Sequence, residues 1–171
     1  NVDNRILPMS ECPTDLIATT NDGIQCHGEI RIDKLPVMPR KLSLSGSVTA
    51  TPEAIRHIRS SQLILLGPGS FMTSVMPPLL INGVRDALRT TQAKVVFIDN
   101  LVDENGPAGK LSLAEKVGFI EKQLGKQVID LVLSNKQEKD LKLPVIGGLQ
   151  SDEDVYYRHN TSNLLAKLEE A

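Results

Sequence analysis

The sequence predicts a doubly wound α/β fold with a mostly parallel sheet and an antiparallel β-hairpin region at the front. Two observations carry this expectation. Short, continuous aliphatic runs at 63–66, 94–98 and 128–133 are separated by segments whose apolar residues recur three and four apart. Such runs are strands buried on both faces of a parallel sheet, and the segments between them are the helices that cover it. The first fifty residues, in contrast, alternate apolar and polar side chains around turn residues, which is the pattern of half-buried antiparallel strands.

In chain order, residues 16–20 form the first strand, and Asn21-Asp22-Gly23 is a hairpin turn, since Asp-Gly accepts the positive φ that tight hairpins need. Ile24, Cys26, Gly28, Ile30 and Ile32 alternate with polar residues, so the partner strand is expected over 24–33. A proline-bearing stretch, 35–40, leads to a further alternating segment at 41–50. Thr51-Pro52 then starts a helix, with a hydroxyl cap and proline at its first position. The 63–66 strand ends in Gly67-Pro68-Gly69-Ser70. Leu80, Val84 and Leu88 mark a helix over 79–90, and 94–98 is again a strand. Leu113, Val117, Ile120 and Leu124 form the buried face of a helix stopped at Gly125. Residues 128–133 are a strand, 143–146 a late strand and 161–169 a closing helix.

The composition narrows the function classes. A chain of 171 residues is long enough to build a core without a metal or disulfide staple. With 3% aromatic residues and no Trp, it offers no stacking platform for single strands. A net charge of −2 removes the electrostatic footprint of a general DNA or RNA binder. Cys12 and Cys26 make no disulfide framework and have no metal-ligand spacing. No charged-then-apolar leader opens the chain, and no run approaches the ~20 apolar residues of a membrane span. A cytoplasmic protein that uses neither nucleic acid nor membrane is therefore expected.

In open parallel sheets, ligands sit outside the carboxyl ends of the strands. Three predicted strands end in small or polar residues: Gly67-Pro68-Gly69-Ser70 with Thr73 and Ser74 behind, Asp99-Asn100, and Ser134-Asn135. The glycines let the backbone turn tightly and approach a ligand. Ser70 is expected to cap a short helix whose N–H groups favour phosphate, with Thr73 and Ser74 adding donors. A plain turn with an N-cap fits the local pattern equally well. Neither the third glycine of a dinucleotide fingerprint nor a P-loop lysine is present. Asp99 and Asn100 suit a ribose, a sugar or a base edge, and equally an Asx-type turn at a strand end, as does Asn135. His27, His57 and the acidic stretches Asp103-Glu104 and 152–154 read as solvated, and His159 is the one histidine placed near a ligand. No catalytic triad and no metal site is predicted.

Taken together, Ile6-Leu7-Pro8-Met9-Ser10, the 63–78 stretch LILLGPGSFMTSVMPP, and Ile98-Asp99-Asn100-Leu101 resemble the CofD-like superfamily. Its members include bacterial gluconeogenesis factors and the 2-phospho-L-lactate transferases of deazaflavin-cofactor synthesis. The match continues through the helix after Ser112, residues 128–133 and Tyr157-Arg158-His159. The resemblance implies a single Rossmann-like α/β/α domain over 1–171, with a hairpin region at 1–50 and βα units over 51–171. It also implies a cleft for a nucleotide or a nucleotide-sugar such as a UDP-sugar. Gly67, Gly69, Ser70, Thr73 and Ser74 match the ligand loop, Asn100 a polar strand end, and Met9 and Ser10 a loop nearby. Pro68-Gly69-Ser70-Phe71 stands where the transferase branch has a Pro-Ser-Asn-Pro-like turn, which places the chain with the gluconeogenesis-factor branch. Met72 stands where that branch often has Tyr. That branch implies a regulatory protein linked to carbon metabolism and cell shape; a homodimer is the default assembly for a sheet of this kind. The alternative is a transferase acting on a nucleotide-activated donor with a divalent metal. Because the chain begins Asn1-Val2-Asp3 and shows no Gly-rich opening segment, it is expected to be the C-terminal part of a longer family member.

Overall fold

The computed structural model describes residues 4–136, 138, 140–147 and 161–169. Two sheets form within them. The smaller is antiparallel, in the order β2 (Gln25–His27), β1 (Leu16–Thr19), β3 (Lys41–Leu44). The larger is parallel throughout, in the order β4 (Leu63–Leu66), β5 (Lys94–Ile98), β6 (Leu131–Leu133), β7 (Val145–Ile146). This is the α/β class that the aliphatic runs predict, with its hairpin at the front. The β1–β2 turn closes through Thr20 and Ile24, the Thr20 N–H donating to the Ile24 carbonyl at 2.9 Å.

The expected strand over 24–33 ends early. Gly28 takes a φ of +86°, outside the β region, and Glu29–Ile32 forms a helical turn, α1. The Arg31 and Ile32 N–H groups both donate to the Gly28 carbonyl. The apolar residues of this stretch therefore diverge: Ile32 is fully buried while Ile30 is 74% exposed. An alternating pattern also occurs by chance in a short helical turn, and only the glycine marks the break.

α2 (Pro52–Ser60) begins as the sequence predicts, with the Thr51 hydroxyl accepting from the Ala54 N–H. The helix expected over 79–90 is two helices, α3 (Met76–Leu80) and α4 (Asn82–Thr90), separated at Ile81, whose ψ of 118° is extended. A π-helical turn, Phe71–Val75, precedes α3, with the Val75 N–H bonded to the Ser70 carbonyl five residues back. Pro77 and Pro78 have no N–H for the carbonyls four residues upstream, so the regular ladder cannot continue there. α5 (Leu113–Leu124) carries a full capping box between Ser112 and Glu115 and stops at Gly125. β6 is shorter than the expected 128–133 because the Asp130 carboxylate takes the Val95 N–H at 2.8 Å in place of a strand carbonyl. The late strand is present as β7, paired parallel to β6. α6 (Thr161–Glu169) closes the described residues. The Tyr157-Arg158-His159 segment and the acidic residues 152–154 lie outside them.

α3 contacts β3, α4 and α5, so it joins the small sheet to the helices that follow β4 and β5. Leu16, Ala18 and Leu42 of the small sheet share one apolar core with Met76, Leu79, Ile120 and Val132. Phe71 packs edge-on against Phe97 and Phe119, with ring centroids 6.2 and 6.0 Å apart. The three phenylalanines thus cluster around Phe71, which directly follows the glycine-rich turn. Ile64 and Leu66 of β4 pack on this core. Leu63 and Leu65, pointing the other way, remain 55% and 54% exposed.

Candidate functional site

The carboxyl ends of β4, β5 and β6 meet at one edge of the parallel sheet, where the topology places a ligand. Gly67 makes the first turn. Its φ is +87°, and a Cβ there would lie 2.7 Å from the Ile98 carbonyl oxygen, so the backbones after β4 and within β5 touch. The Gly67–Pro68 peptide is cis. Asn100 then clasps the turn from β5. Its Oδ1 accepts the Gly69 N–H at 3.1 Å and its Nδ2 donates to the Gly69 carbonyl at 3.0 Å.

Ser70 does not cap the following turn with its side chain. Its hydroxyl donates to Asp33 Oδ1 at 3.1 Å, and the Thr73 hydroxyl lies 3.1–3.2 Å from the same carboxylate and 2.8 Å from Ser70 Oγ. The cap comes from Glu104, whose two oxygens lie 3.3 and 3.1 Å from the Phe71 N–H. A carboxylate suits that position because the first N–H groups of a helix carry partial positive charge. Asp33 follows α1, and Glu104 lies in the loop after β5. Neither was visible as a site residue in the sequence. Asp33 closes the misread 24–33 alternation, and Glu104 sits in a stretch with the composition of a solvated loop. The loop is nonetheless tightly built: a Cβ on Gly109 would lie 1.9 Å from the Glu104 carbonyl oxygen, and one on Gly106 3.1 Å from that of Asp33.

Asp99 is not presented to a ligand. It is buried, with Lys116 Nζ 2.6 Å from Oδ1 and the Ser134 hydroxyl 3.2 Å from Oδ2. This triad ties the ends of β5 and β6 to α5 directly behind Asn100. Among the described residues no group of three or more His, Cys, Asp or Glu converges as a metal centre. Asp33 and Glu104 are instead engaged by hydroxyl and amide donors.

The residues expected at the site therefore divide. Gly69, Ser70, Thr73 and Asn100 form the polar face with Asp33 and Glu104. Met9, Gly67 and Ser74 line an adjoining apolar cavity of ≈ 290 Å³ with Ile58, Ile64 and Leu79. Ser10 joins neither: it bridges to Ala50, and its hydroxyl accepts the Cys12 N–H. His27 and His57 are exposed, as expected.

A family model described as 2-phospho-L-lactate transferase CofD matches residues 1–167. The chain belongs to the CofD family. Two curated relatives carry the name "Putative gluconeogenesis factor". The one from Pasteurella multocida is 41% identical over 169 residues, 96% of this chain and 54% of the relative. The one from Vibrio cholerae is 44% identical over 142 residues, 82% of this chain and 48% of the relative. The chain thus spans about half the length of the curated relatives it matches. A crystal structure of a Bacillus halodurans protein superposes with a TM-score of 0.83 at 24% identity, covering 98% of this chain and 62% of that one. A second structure of the same protein, described as a UPF0052 member, gives 0.80 at 23% identity, covering 95% and 60%. At these identities the likeness shows the fold. Among the described residues, no helix of this CofD-family chain is long and apolar enough to cross a membrane.

Proposed function

We propose that this chain forms part of a cytoplasmic regulatory protein of carbon metabolism that binds a nucleotide or nucleotide-sugar of the UDP-sugar type. The ligand would lie in the cleft at the carboxyl ends of β4–β6. The reading is supported above all by the Asn100–Gly69 clasp. A side chain from one strand end holds both backbone groups of a turn at the next. Such a clasp fixes a glycine-bearing turn at the ligand-binding edge of a parallel sheet. The adjoining apolar cavity, with Met9 and Ser74 on its wall, offers room for a flat base beside that turn. The family's gluconeogenesis-factor name, carried by relatives at 41–44% identity, accords with a regulatory role.

Calorimetry of the full chain with UMP, UDP, UDP-glucose and UDP-N-acetylglucosamine tests the proposal. Saturable heat is expected with at least one UDP compound, and its absence across the panel overturns the reading.

A further inference from the structure

We infer that Asp33 determines what the Gly69–Thr73 turn accepts: a neutral, hydroxyl-bearing group of the ligand, and not its phosphates. The inference deepens the proposed function and rests on its reading of this turn as part of a ligand site. It follows from where the side-chain protons of the turn, and the amide protons of Gly69 and Phe71, are directed. Ser70 and Thr73 each carry one hydroxyl hydrogen. The Ser70 hydrogen is directed at Asp33, and the Thr73 hydrogen is shared between Asp33 and Ser70 Oγ. The Phe71 N–H is occupied by Glu104, and the Gly69 N–H by Asn100. The side chains that look like phosphate donors have thus spent their protons on carboxylates of the protein itself. What these two hydroxyls have left to offer is lone pairs.

An ionised phosphate brings acceptors and negative charge, and would meet both at this surface. A sugar hydroxyl brings a proton that Asp33 can accept, and charge-assisted hydrogen bonds of this kind are the stronger ones. The backbone that carries this carboxylate is well held. The Asp33 N–H donates to the Glu29 carbonyl at 2.9 Å, and the Gly106 backbone packs close against the Asp33 carbonyl. Thr73, one of the carboxylate's two donors, is 8% exposed. Phosphates of the same ligand would then lie elsewhere along the edge.

The test uses the ¹⁵N-labelled full chain, following the amide signals of Gly69, Ser70 and Thr73 during separate titrations with methyl glucoside and inorganic phosphate. In the wild type the glucoside is expected to shift these signals and phosphate to leave them in place. In Asp33→Asn the glucoside response should weaken by about tenfold in apparent affinity, the loss of one charged hydrogen bond, and phosphate should now shift them. Phosphate acting on the wild-type turn as strongly as on Asp33→Asn overturns the inference, as does a glucoside response that is absent or indifferent to Asp33. Asp33→Ser is a second variant, with dispersion of the remaining signals reporting that each variant folds. The outcomes separate from those of the nucleotide panel. A glucoside response without nucleotide binding overturns the proposed ligand class and keeps the role of Asp33. Nucleotide binding without a glucoside response does the reverse.

Discussion

Lys116 and Asp99 form a buried ion pair, Nζ to Oδ1 2.6 Å, with side-chain exposures of 3% and 2%. The pair stands at the carboxyl edge of the sheet, where it joins α5 to the end of β5. The Ser134 hydroxyl adds the end of β6. Burying two charges gains little net stability, but removing one partner leaves the other uncompensated. Lys116→Met is therefore expected to destabilise the fold by about 3–5 kcal/mol. The double variant Lys116→Met/Asp99→Asn should recover a substantial part of that loss. Urea unfolding of the two variants checks this, and a double variant as unstable as the single one would contradict it.

Two glycines in contrasting surroundings should respond in opposite directions to alanine. At Gly67 the new Cβ meets the Ile98 carbonyl oxygen at 2.7 Å with φ at +87°, so a loss of roughly 2 kcal/mol or more is expected. At Gly118, inside α5, a Cβ meets nothing within 4 Å. There the better helix former should add about 0.5–1 kcal/mol. Thermal unfolding distinguishes the two, and a stabilised Gly67→Ala would show that the β4–β5 contact is not tight.

Glu121 gives the fold a defined pH dependence. Burial raises its pKa above the ordinary 4.5, against the opposing effect of hydrogen bonds from the Ile129 and Val128 N–H groups. The folded state therefore holds this proton more tightly than the unfolded one. The resulting stabilisation is complete below about pH 4.5 and is lost as pH rises through the raised folded-state value. Glu121→Gln should consequently be more stable than the wild type at pH 7, and the difference should shrink as the pH falls toward 4. A difference that grows on acidification would reverse the sign assigned here.

The parallel sheet was legible because its strands are short aliphatic runs and its helices repeat cleanly. Leu113, Val117, Ile120 and Leu124 are all buried as their spacing requires. Errors fell where a local pattern has two physical meanings. The alternation of Ile24 to Ile32 describes a strand and equally a strand followed by a turn, and Gly28 decides between them. Ser70 has the right position for an N-cap, but a hydroxyl bonds to the best acceptor within reach, and folding brings it Asp33 from 37 residues away. Glu104 reaches Phe71 across 33 residues. Long-range pairings of this kind leave no periodic trace. The strand-end rule picked out the edge where Gly69, Ser70, Thr73 and Asn100 gather, while Asp33 and Glu104, which bring charge to it, came from outside that rule.

Asn100 provides the sharpest separation of binding from folding. Its amide satisfies the Gly69 N–H and carbonyl together, and an aspartate can replace only the acceptor half of that pair. Asn100→Asp should keep the Gly69 N–H bond, lose the bond to the Gly69 carbonyl and add a third carboxylate beside Asp33 and Glu104. Asn100→Ala removes both bonds, but the turn remains accessible to water, which can take their place at a cost near 1 kcal/mol. Both variants are expected to fold. If the proposed site is correct, UDP-glucose affinity should fall by about tenfold or more in each, with Asn100→Asp the weaker binder because its added charge repels the ligand's phosphates. Calorimetry at two salt concentrations makes the comparison direct. Raising the salt should narrow the gap between the variants, since screening acts on the added charge and not on the lost hydrogen bonds. An Asn100→Ala chain that binds UDP-glucose as tightly as the wild type would remove the clasp from the binding mechanism and leave it a structural tie between β4 and β5.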